Sequence, residues 1–157
     1  MAERTTPGAD NVLAVLRRTA ILDGASDETL QRIAASGQLL AIDEGETLYS
    51  VGDPARSAYI VISGRLRFTL GGAGRREASG SIIPAGDILG WAALLVDQPR
   101  RIATVVTLEP CRLLAIEGKA LLDLLEADPR AGFLVMQRLA KMITQSFLEQ
   151  SALLSAS

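Results

Sequence analysis

The chain has 157 residues, a length typical of one domain that buries its own core. Its 16 basic and 18 acidic residues give a net charge of −2, which argues against a nucleic-acid-binding surface. Histidine is absent and Cys111 is the only cysteine, so a His general base, a His-ligated metal or haem, an iron–sulfur cluster held by this chain alone and an intramolecular disulfide are excluded.

The first 37 residues predict a lead-in followed by short helices. Residues 1–10 are polar and contain Pro7 and Gly8, so we expect a disordered lead-in without a secretory signal. Apolar residues at helical spacing predict a helix over 11–18, and Ser26 is a good N-cap for a second helix that ends at Gly37. No apolar run reaches 18 residues, so we expect a cytoplasmic protein without a membrane span.

Residues 38–118 change to short aliphatic runs separated by glycine-containing turns. Many short strands at this spacing are typical of a sandwich or barrel. We therefore predict a mainly β fold with flanking helices, a double-stranded β-helix (jelly-roll) barrel of about eight strands. Residues 71–76 are expected to form a hairpin-tip loop. The predicted strands span 39–42, 47–51, 57–63, 66–70, 81–83, 104–108 and 112–116.

Residues 119–157 return to helical periodicity. A helix over 119–127 ends at Asp128-Pro129, and Pro129 suits the first turn of a long helix that reaches Leu154. Its apolar residues form two stripes, so one can cover the domain while the other pairs with a second copy. We predict a homodimer; the alternative is that the helix only folds back on its own domain. The predicted dimer seam is Met136, Ala140, Ile143 and Phe147, and the second stripe is Val135, Leu139 and Met142.

The segment 86–105 contains the candidate binding residues. Gly90 permits a close backbone approach, and a brief helix after it aims unpaired N–H groups at one point, as anion sites require. Arg101 follows at the start of the next strand, and its guanidinium suits a bidentate phosphate contact. On these residues alone, a capped turn beside a solvated arginine explains the pattern equally well.

Several motifs in order resemble the cyclic nucleotide-binding domain shared by the catabolite activator protein family, cyclic-nucleotide-dependent kinase regulatory subunits and gated channels. The resemblance runs from about Ile21 to Leu154, within a single predicted domain over 11–157. It includes similarity to the entry helices, the barrel turns and strands, the turn before the phosphate-binding cassette, and the cassette itself. The matching segments are 21–30, 44–48, 52–53, 58–66, 84–87 and 90–103.

The resemblance implies roles for individual residues of the cassette. Gly90, Ala92 and Ala93 match the glycine and the amide donors that hold the cyclic phosphate. Arg101 matches the phosphate-binding arginine, because Ala103-Thr104-Val105 then keeps the strand register. Arg100 is the adjacent alternative, since the kinase-like pattern places arginine directly after proline.

Two residues depart from the family pattern. Trp91 stands where the family has the glutamate that accepts from the ribose hydroxyl, and Ile102 stands where a small or hydroxyl residue often sits. A ribose hydroxyl left unpaired in a closed pocket costs about 1–3 kcal/mol, so binding of cAMP or cGMP is expected to be weakened or lost. Trp91 either stacks on a base or fills the ribose space, and filling is favoured. Ser146 falls near the base-contacting position on the C-terminal helix.

The sequence thus predicts a non-catalytic sensor module that signals through its C-terminal helix. No carboxylate pair, activated nucleophile or metal cluster is evident, so no catalytic residue, metal or cofactor is expected beyond a cyclic nucleotide ligand. The alternative is a ligand-independent interaction scaffold, which would follow if Trp91 occupied the ribose site. Activator-type members continue into a DNA-binding domain; because this chain ends at Ser157, we expect no direct nucleic-acid binding. The regulated partner is not specified.

Overall fold

A computed structural model describes the protein over residues 3–4, 9–70, 81–95, 97 and 99–155. Its helices lie at both ends of the chain, apart from one short helix between strands. They are α1 (Ala9–Arg18), the 3₁₀ helix η1 (Ala20–Leu22), α2 (Asp27–Ser36), α3 (Ala92–Leu95), α4 (Gly118–Ala127) and α5 (Pro129–Ser155).

The described strands form two antiparallel sheets, in the orders β1-β2-β9-β4-β7 and β3-β8-β5-β6. The predicted mainly β, jelly-roll-like fold with flanking helices is confirmed, but the predicted closed barrel is wrong. Within the described part of the chain, each strand pairs only inside its own sheet, so β1 and β7 remain edges of one sheet and β3 and β6 of the other. The strands are β1 (Glu3–Arg4), β2 (Gln38–Ile42), β3 (Thr47–Tyr49), β4 (Ser57–Ser63), β5 (Leu66–Leu70), β6 (Ser81–Ile83), β7 (Ile88–Leu89), β8 (Ala103–Thr107) and β9 (Cys111–Glu117).

The five-stranded sheet is covered on both faces, which explains why β4 and β9 are almost continuously apolar. Val61 and Leu113 face the second sheet, in a core that also contains Tyr49, Leu66 and Val105. Their neighbours along β4 and β9 face a larger core under the helices. Strands buried on both faces lose the alternation of polar and apolar residues that marks a half-exposed strand. The helices therefore pack on the five-stranded sheet, whose edge strand β7 is followed in the chain by α3.

The predicted helix boundaries of α2 are confirmed, with one difference at its end. The Ser26 hydroxyl accepts a hydrogen bond from the Thr29 N–H at 3.1 Å, as expected of an N-cap. Gly37 does not adopt the left-handed conformation common after helices, because its φ is −90°. A Cβ at Gly37 would lie 2.6 Å from Cδ1 of Leu114, so glycine is needed here for close packing on β9.

Helix α5 is held unevenly along its length. In its N-terminal half, Ala131, Val135 and Leu139 are buried. Arg138 donates hydrogen bonds to the carbonyls of Ile21, at 3.1 Å, and Asp23, which tie this half of α5 to η1 and the turn after it. From residue 143 onward, every described side chain of α5 is half-buried or exposed. The helix thus has a fixed first half and a second half that rests on the sheets.

Parts of the predicted organisation fall outside the described residues. Within the predicted lead-in of residues 1–10, Glu3–Arg4 pair with β2 and α1 begins at Ala9. Residues 1–2 and 5–8 lie outside the described residues, as does the predicted hairpin-tip loop of residues 71–76. Disorder at those positions stays a prediction.

Candidate functional site

A pocket lies between the sheets and the second half of α5. Its cavity volume is about 370 Å³, within the range of small-molecule sites. We call it the α5 pocket. Phe68, Ser81, Ile83, Asp87, Ile88, Leu89, Trp91 and Ile102 line it from the sheets and their loops, and Met142, Ile143, Ser146 and Phe147 line it from α5.

Three predicted site residues meet in this pocket: Trp91, Ile102 and Ser146. Trp91 is half-buried and also packs against the core under the helices, so it forms a wall while the cavity beside it stays open. Ile102 is 46% exposed at the pocket rim. Ser146 faces them from α5, which places its hydroxyl on the opposite wall from Trp91.

The predicted phosphate-binding amides lie outside the pocket lining. Helix α3 has only four residues, and the N–H of Ala93 donates to the Gly90 carbonyl at 3.2 Å. Ala92 is buried, and Ala93 lies against α4, where a Cβ at Gly118 would come within 2.2 Å of the Ala93 carbonyl oxygen. The short helix is therefore packed into the domain, and its second amide is already used.

Arg101 is buried, with 5% of its surface exposed. Its Nη2 donates to the Ser57 carbonyl at 2.8 Å and its Nη1 to the Gly90 carbonyl at 3.3 Å. The guanidinium carbon lies 4.2 Å from the ring centroid of Tyr49 and 5.4 Å from that of Tyr59. We call these four partners the Arg101 cage. Nε is buried without a hydrogen-bond partner among the described residues. Because Nη1 and Nη2 both donate to carbonyls of the domain and Arg101 is not among the described lining residues, the guanidinium is held inside the domain rather than presented to the α5 pocket.

Gly90 makes the cage possible. Its φ of +75° is in the left-handed region, where a side chain adds strain. A Cβ at Gly90 would lie 2.7 Å from Arg101 Nη1 and 3.0 Å from the Ser57 carbonyl oxygen. The close approach predicted for this glycine is therefore realised, and the group approached is the arginine of the same chain.

Burial controls the acid–base properties of two groups near the site. It raises the pKa of Tyr49 to about 12, against the smaller opposing effects of the Arg101 charge and a backbone hydrogen bond from Gly90. Burial also raises the pKa of the Asp87 carboxyl, which lines the α5 pocket. The pocket therefore carries a partly desolvated carboxyl group.

Arg100, the alternative to Arg101, points elsewhere. It is exposed and donates to the Gly52 carbonyl at 3.1 Å. A second cavity of about 360 Å³ lies between η1 and α5, on the other side of Asp87 and Met142, and Arg138 lines it. Arg100, Arg101 and Arg138 are all absent from the described lining of the α5 pocket.

The predicted dimer seam is divided between two environments. Met136 is half-buried against the core, while Ile143 and Phe147 edge the α5 pocket. Ala140 is exposed, and Phe133, which the seam prediction omitted, is 67% exposed, close to the 68% of Phe147. The second stripe, Val135, Leu139 and Met142, packs on the domain.

The sequence reasoning missed several residues that shape the site. Tyr49 and Tyr59 fall within the predicted strands 47–51 and 57–63, and the pattern assigns them no role at the site, yet their rings cage Arg101. Asp87 was assigned to a turn, and Phe68 and Ile83 to strands, without a role in binding. Among the described residues, no cluster of three metal-ligating side chains occurs, and no helix is both long and apolar enough to cross a membrane.

The central part of the chain matches a known family. Residues 39–128 match the family model of the cyclic nucleotide-binding domain. The chain belongs to the cyclic nucleotide-binding domain family. The matched segment runs from β2 to the end of α4 and contains Gly90, Trp91, Arg101 and Ile102.

Curated relatives of this cyclic nucleotide-binding domain include uncharacterized NTE family proteins and patatin-like phospholipase domain-containing proteins. An uncharacterized NTE family protein of Mycobacterium tuberculosis is 31% identical over 131 residues, which cover 83% of this chain and 22% of the relative. The chain thus spans about a fifth of the length of that curated relative.

Two solved structures are similar in fold. The sensor domain of the transcriptional regulator DNR from Pseudomonas aeruginosa has a TM-score of 0.74 at 22% identity, covering 90% of this chain and 94% of that one. The regulatory domain of Toxoplasma gondii PKA, solved with cAMP, has a TM-score of 0.71 at 22% identity, covering 87% and 50%. These structural neighbours of the domain are sensor or regulatory domains.

Proposed function

We propose that this cyclic nucleotide-binding domain is a non-catalytic sensor whose α5 pocket regulates the position of α5, with binding of cAMP and cGMP weakened or lost. The observation that carries the proposal is that α5 itself forms one wall of the pocket. Met142, Ile143, Ser146 and Phe147 line it, so an occupant contacts the half of α5 that is least held by the core. A ligand that prefers one position of α5 shifts the population toward it.

Three features support weak cyclic nucleotide binding. Trp91 offers no carboxylate to the ribose, and Ile102 offers no hydroxyl to the phosphate. Arg101 already binds the Ser57 and Gly90 carbonyls and stacks on Tyr49, so a phosphate would have to displace those partners.

Calorimetric titration with cAMP and cGMP tests this proposal. For the wild-type protein we expect dissociation constants weaker than about 10 µM. Trp91→Glu restores the ribose acceptor and should tighten cAMP binding by about 10- to 100-fold. Leu95→Glu, on the exposed side of α3, is the matched control and should leave affinity unchanged. Nanomolar binding by the wild-type protein, or equal affinities of the two variants, would contradict the proposal.

The open cavity beside Trp91 favours this sensor over the ligand-independent scaffold, because a scaffold has no need of an accessible pocket under α5. Cytoplasmic location stays part of the proposal and is tested by cell fractionation.

We further propose that the domain forms a homodimer through α5. Phe133, Ala140 and Phe147 recur every seven residues along α5, and all three are exposed, with Phe147 at the edge of the α5 pocket. Leu148, 58% exposed, extends the same apolar surface. Pairing two copies of this face removes the apolar surface from water.

Light scattering tests the dimer. The wild-type mass should be twice the 16.6 kDa of one chain. Phe133→Glu combined with Ala140→Glu should shift the mass to the monomer value, whereas Gln145→Glu, exposed on another face, should not. Neither substituted position lines the α5 pocket, so ligand binding and dimerisation are tested separately. A monomeric wild-type protein would refute the interface.

A further inference from the structure

The walls of the α5 pocket are predominantly apolar. Of its described lining residues, only Ser81, Asp87 and Ser146 carry polar side chains other than the indole of Trp91. The chain has just three phenylalanines, two tyrosines and one tryptophan, yet Phe68, Trp91 and Phe147 all line this one cavity. Aromatic walls favour a flat ring, which they contact over a large area at little entropic cost.

Among the described residues, the charge that lines the pocket opposes an anion. Asp87 is the one ionisable side chain among the described lining residues, and burial raises its pKa without an opposing cation. Arg101 is held in its cage, and Arg138 donates to the Ile21 and Asp23 carbonyls from the neighbouring cavity. A buried phosphate needs a cation or several free N–H donors, whereas a carboxylate beside it repels it.

We propose that the α5 pocket binds a small, uncharged, ring-containing apolar molecule, with the Ser81 and Ser146 hydroxyls available for one or two hydrogen bonds. This inference rests on the proposed sensor function and specifies the class of ligand that the sensor takes. The volume of about 370 Å³ suits a molecule of two or three rings.

A pair of matched fluorescent probes tests the ligand class. N-phenyl-1-naphthylamine is uncharged, and 1-anilinonaphthalene-8-sulfonate has the same rings with one added sulfonate. Trp91 is the single tryptophan and lines the pocket, so energy transfer from its indole to either probe reports binding to the domain, which the pocket-filling variants then assign to this site. We expect the uncharged probe to bind saturably at one site per chain, and the sulfonate to bind at least about tenfold more weakly. Asp87→Asn should narrow that difference.

Pocket-filling variants locate the site. Ser146→Phe places a ring inside the cavity and should abolish binding of the uncharged probe, whereas Gln145→Phe, at the adjacent exposed position, should not. Ile102→Phe narrows the rim of the pocket from the opposite wall. It replaces Ser146→Phe as the test if far-UV circular dichroism shows that Ser146→Phe unfolds the domain. Binding that survives both filling variants lies outside the α5 pocket and overturns the inference.

Two further results separate this inference from the proposed function. If the sulfonate probe binds as tightly as the uncharged one, the pocket takes anions and the ligand class is wrong, while sensing through α5 is unaffected. If cAMP displaces the uncharged probe at micromolar concentration, the ligand class and the weak binding of cAMP are both wrong. Amide hydrogen exchange over residues 142–152 then measures the response of α5. An uncharged probe that fills the pocket without changing this exchange supports the ligand class and refutes sensing through α5.

Discussion

Arg101 is expected to contribute to folding, and Arg101→Met isolates that contribution. Methionine keeps an unbranched apolar side chain of similar length but removes the guanidinium from its cage. The substitution loses hydrogen bonds to Ser57 and Gly90 of 2.8 and 3.3 Å and the stacking on Tyr49. Hydrogen bonds to a charged group contribute about 1.5–3 kcal/mol each and a desolvated cation–π contact up to about 2 kcal/mol, a gross loss of about 4–8 kcal/mol.

Part of that loss is regained, because methionine does not carry a buried charge whose desolvation costs several kcal/mol. We therefore expect the free energy of unfolding to fall by a net 2–4 kcal/mol, roughly. Urea unfolding followed by circular dichroism measures it: with a slope of about 2 kcal/mol per M, the midpoint should fall by about 1–2 M.

Arg100→Met is the matched control. Arg100 is exposed and makes one hydrogen bond, to the Gly52 carbonyl, so its loss should cost less than about 1 kcal/mol. The reasoning would be refuted by equal midpoints for the two variants, which would mean that the Arg101 side chain is free to serve a ligand at no cost to the fold.

Two other predictions concern the same cage. Gly90→Ala should destabilise the domain by about 2–4 kcal/mol, because it adds a Cβ at positive φ and displaces Arg101. The control is Gly86→Ala, which is also at positive φ but faces open space. In the same urea assay it should cost only the backbone strain of about 1 kcal/mol. Tyr49 should make stability decrease as pH rises from about 10 to about 12, since the unfolded tyrosine loses its proton near pH 10 while the folded one holds it to about 12. The loss should approach 2–3 kcal/mol, roughly, and should be absent in Tyr49→Phe; a wild-type stability that stays flat across this pH window would show that the folded pKa is not raised.

Much of the fold was predictable because glycine and short aliphatic runs mark strand ends directly. The boundaries of β4, β5 and β6 were predicted to the residue. The two-residue strands β1 and β7 were not, because pairing of so few residues depends on neighbouring strands rather than on their own periodicity. Closure into a barrel was also wrong, because strand partners are set by long-range contacts that a local pattern does not encode.

The candidate site was predictable in its parts but not in its assembly. The resemblance placed Trp91, Ile102 and Ser146 near a ligand, and the structure lines one pocket with all three. It could not reveal that Arg101 is caged, because the aromatic partners Tyr49 and Tyr59 lie about 40–50 positions earlier in the chain, in other strands. The role of Asp87 in the pocket wall was also hidden, because an Asp next to a Gly-containing turn is usually interpreted as a residue that forms the turn.

If an occupant of the pocket displaces α5, the unequal anchoring of the helix places the pivot of that movement near Met142. The Arg138 hydrogen bonds and the buried Val135 and Leu139 clamp the part before this residue, so a force applied through Ser146 or Phe147 rotates only the part after it. The free arm runs from residue 142 to 155, about 20 Å at 1.5 Å per residue, and a tilt of about 10° at the pivot would move its tip by about 3 Å. Phe133 lies before that pivot and Phe147 lies after it. In a pair of α5 helices, the contacts at Phe133 would therefore stay in place while the contacts at Phe147 separate.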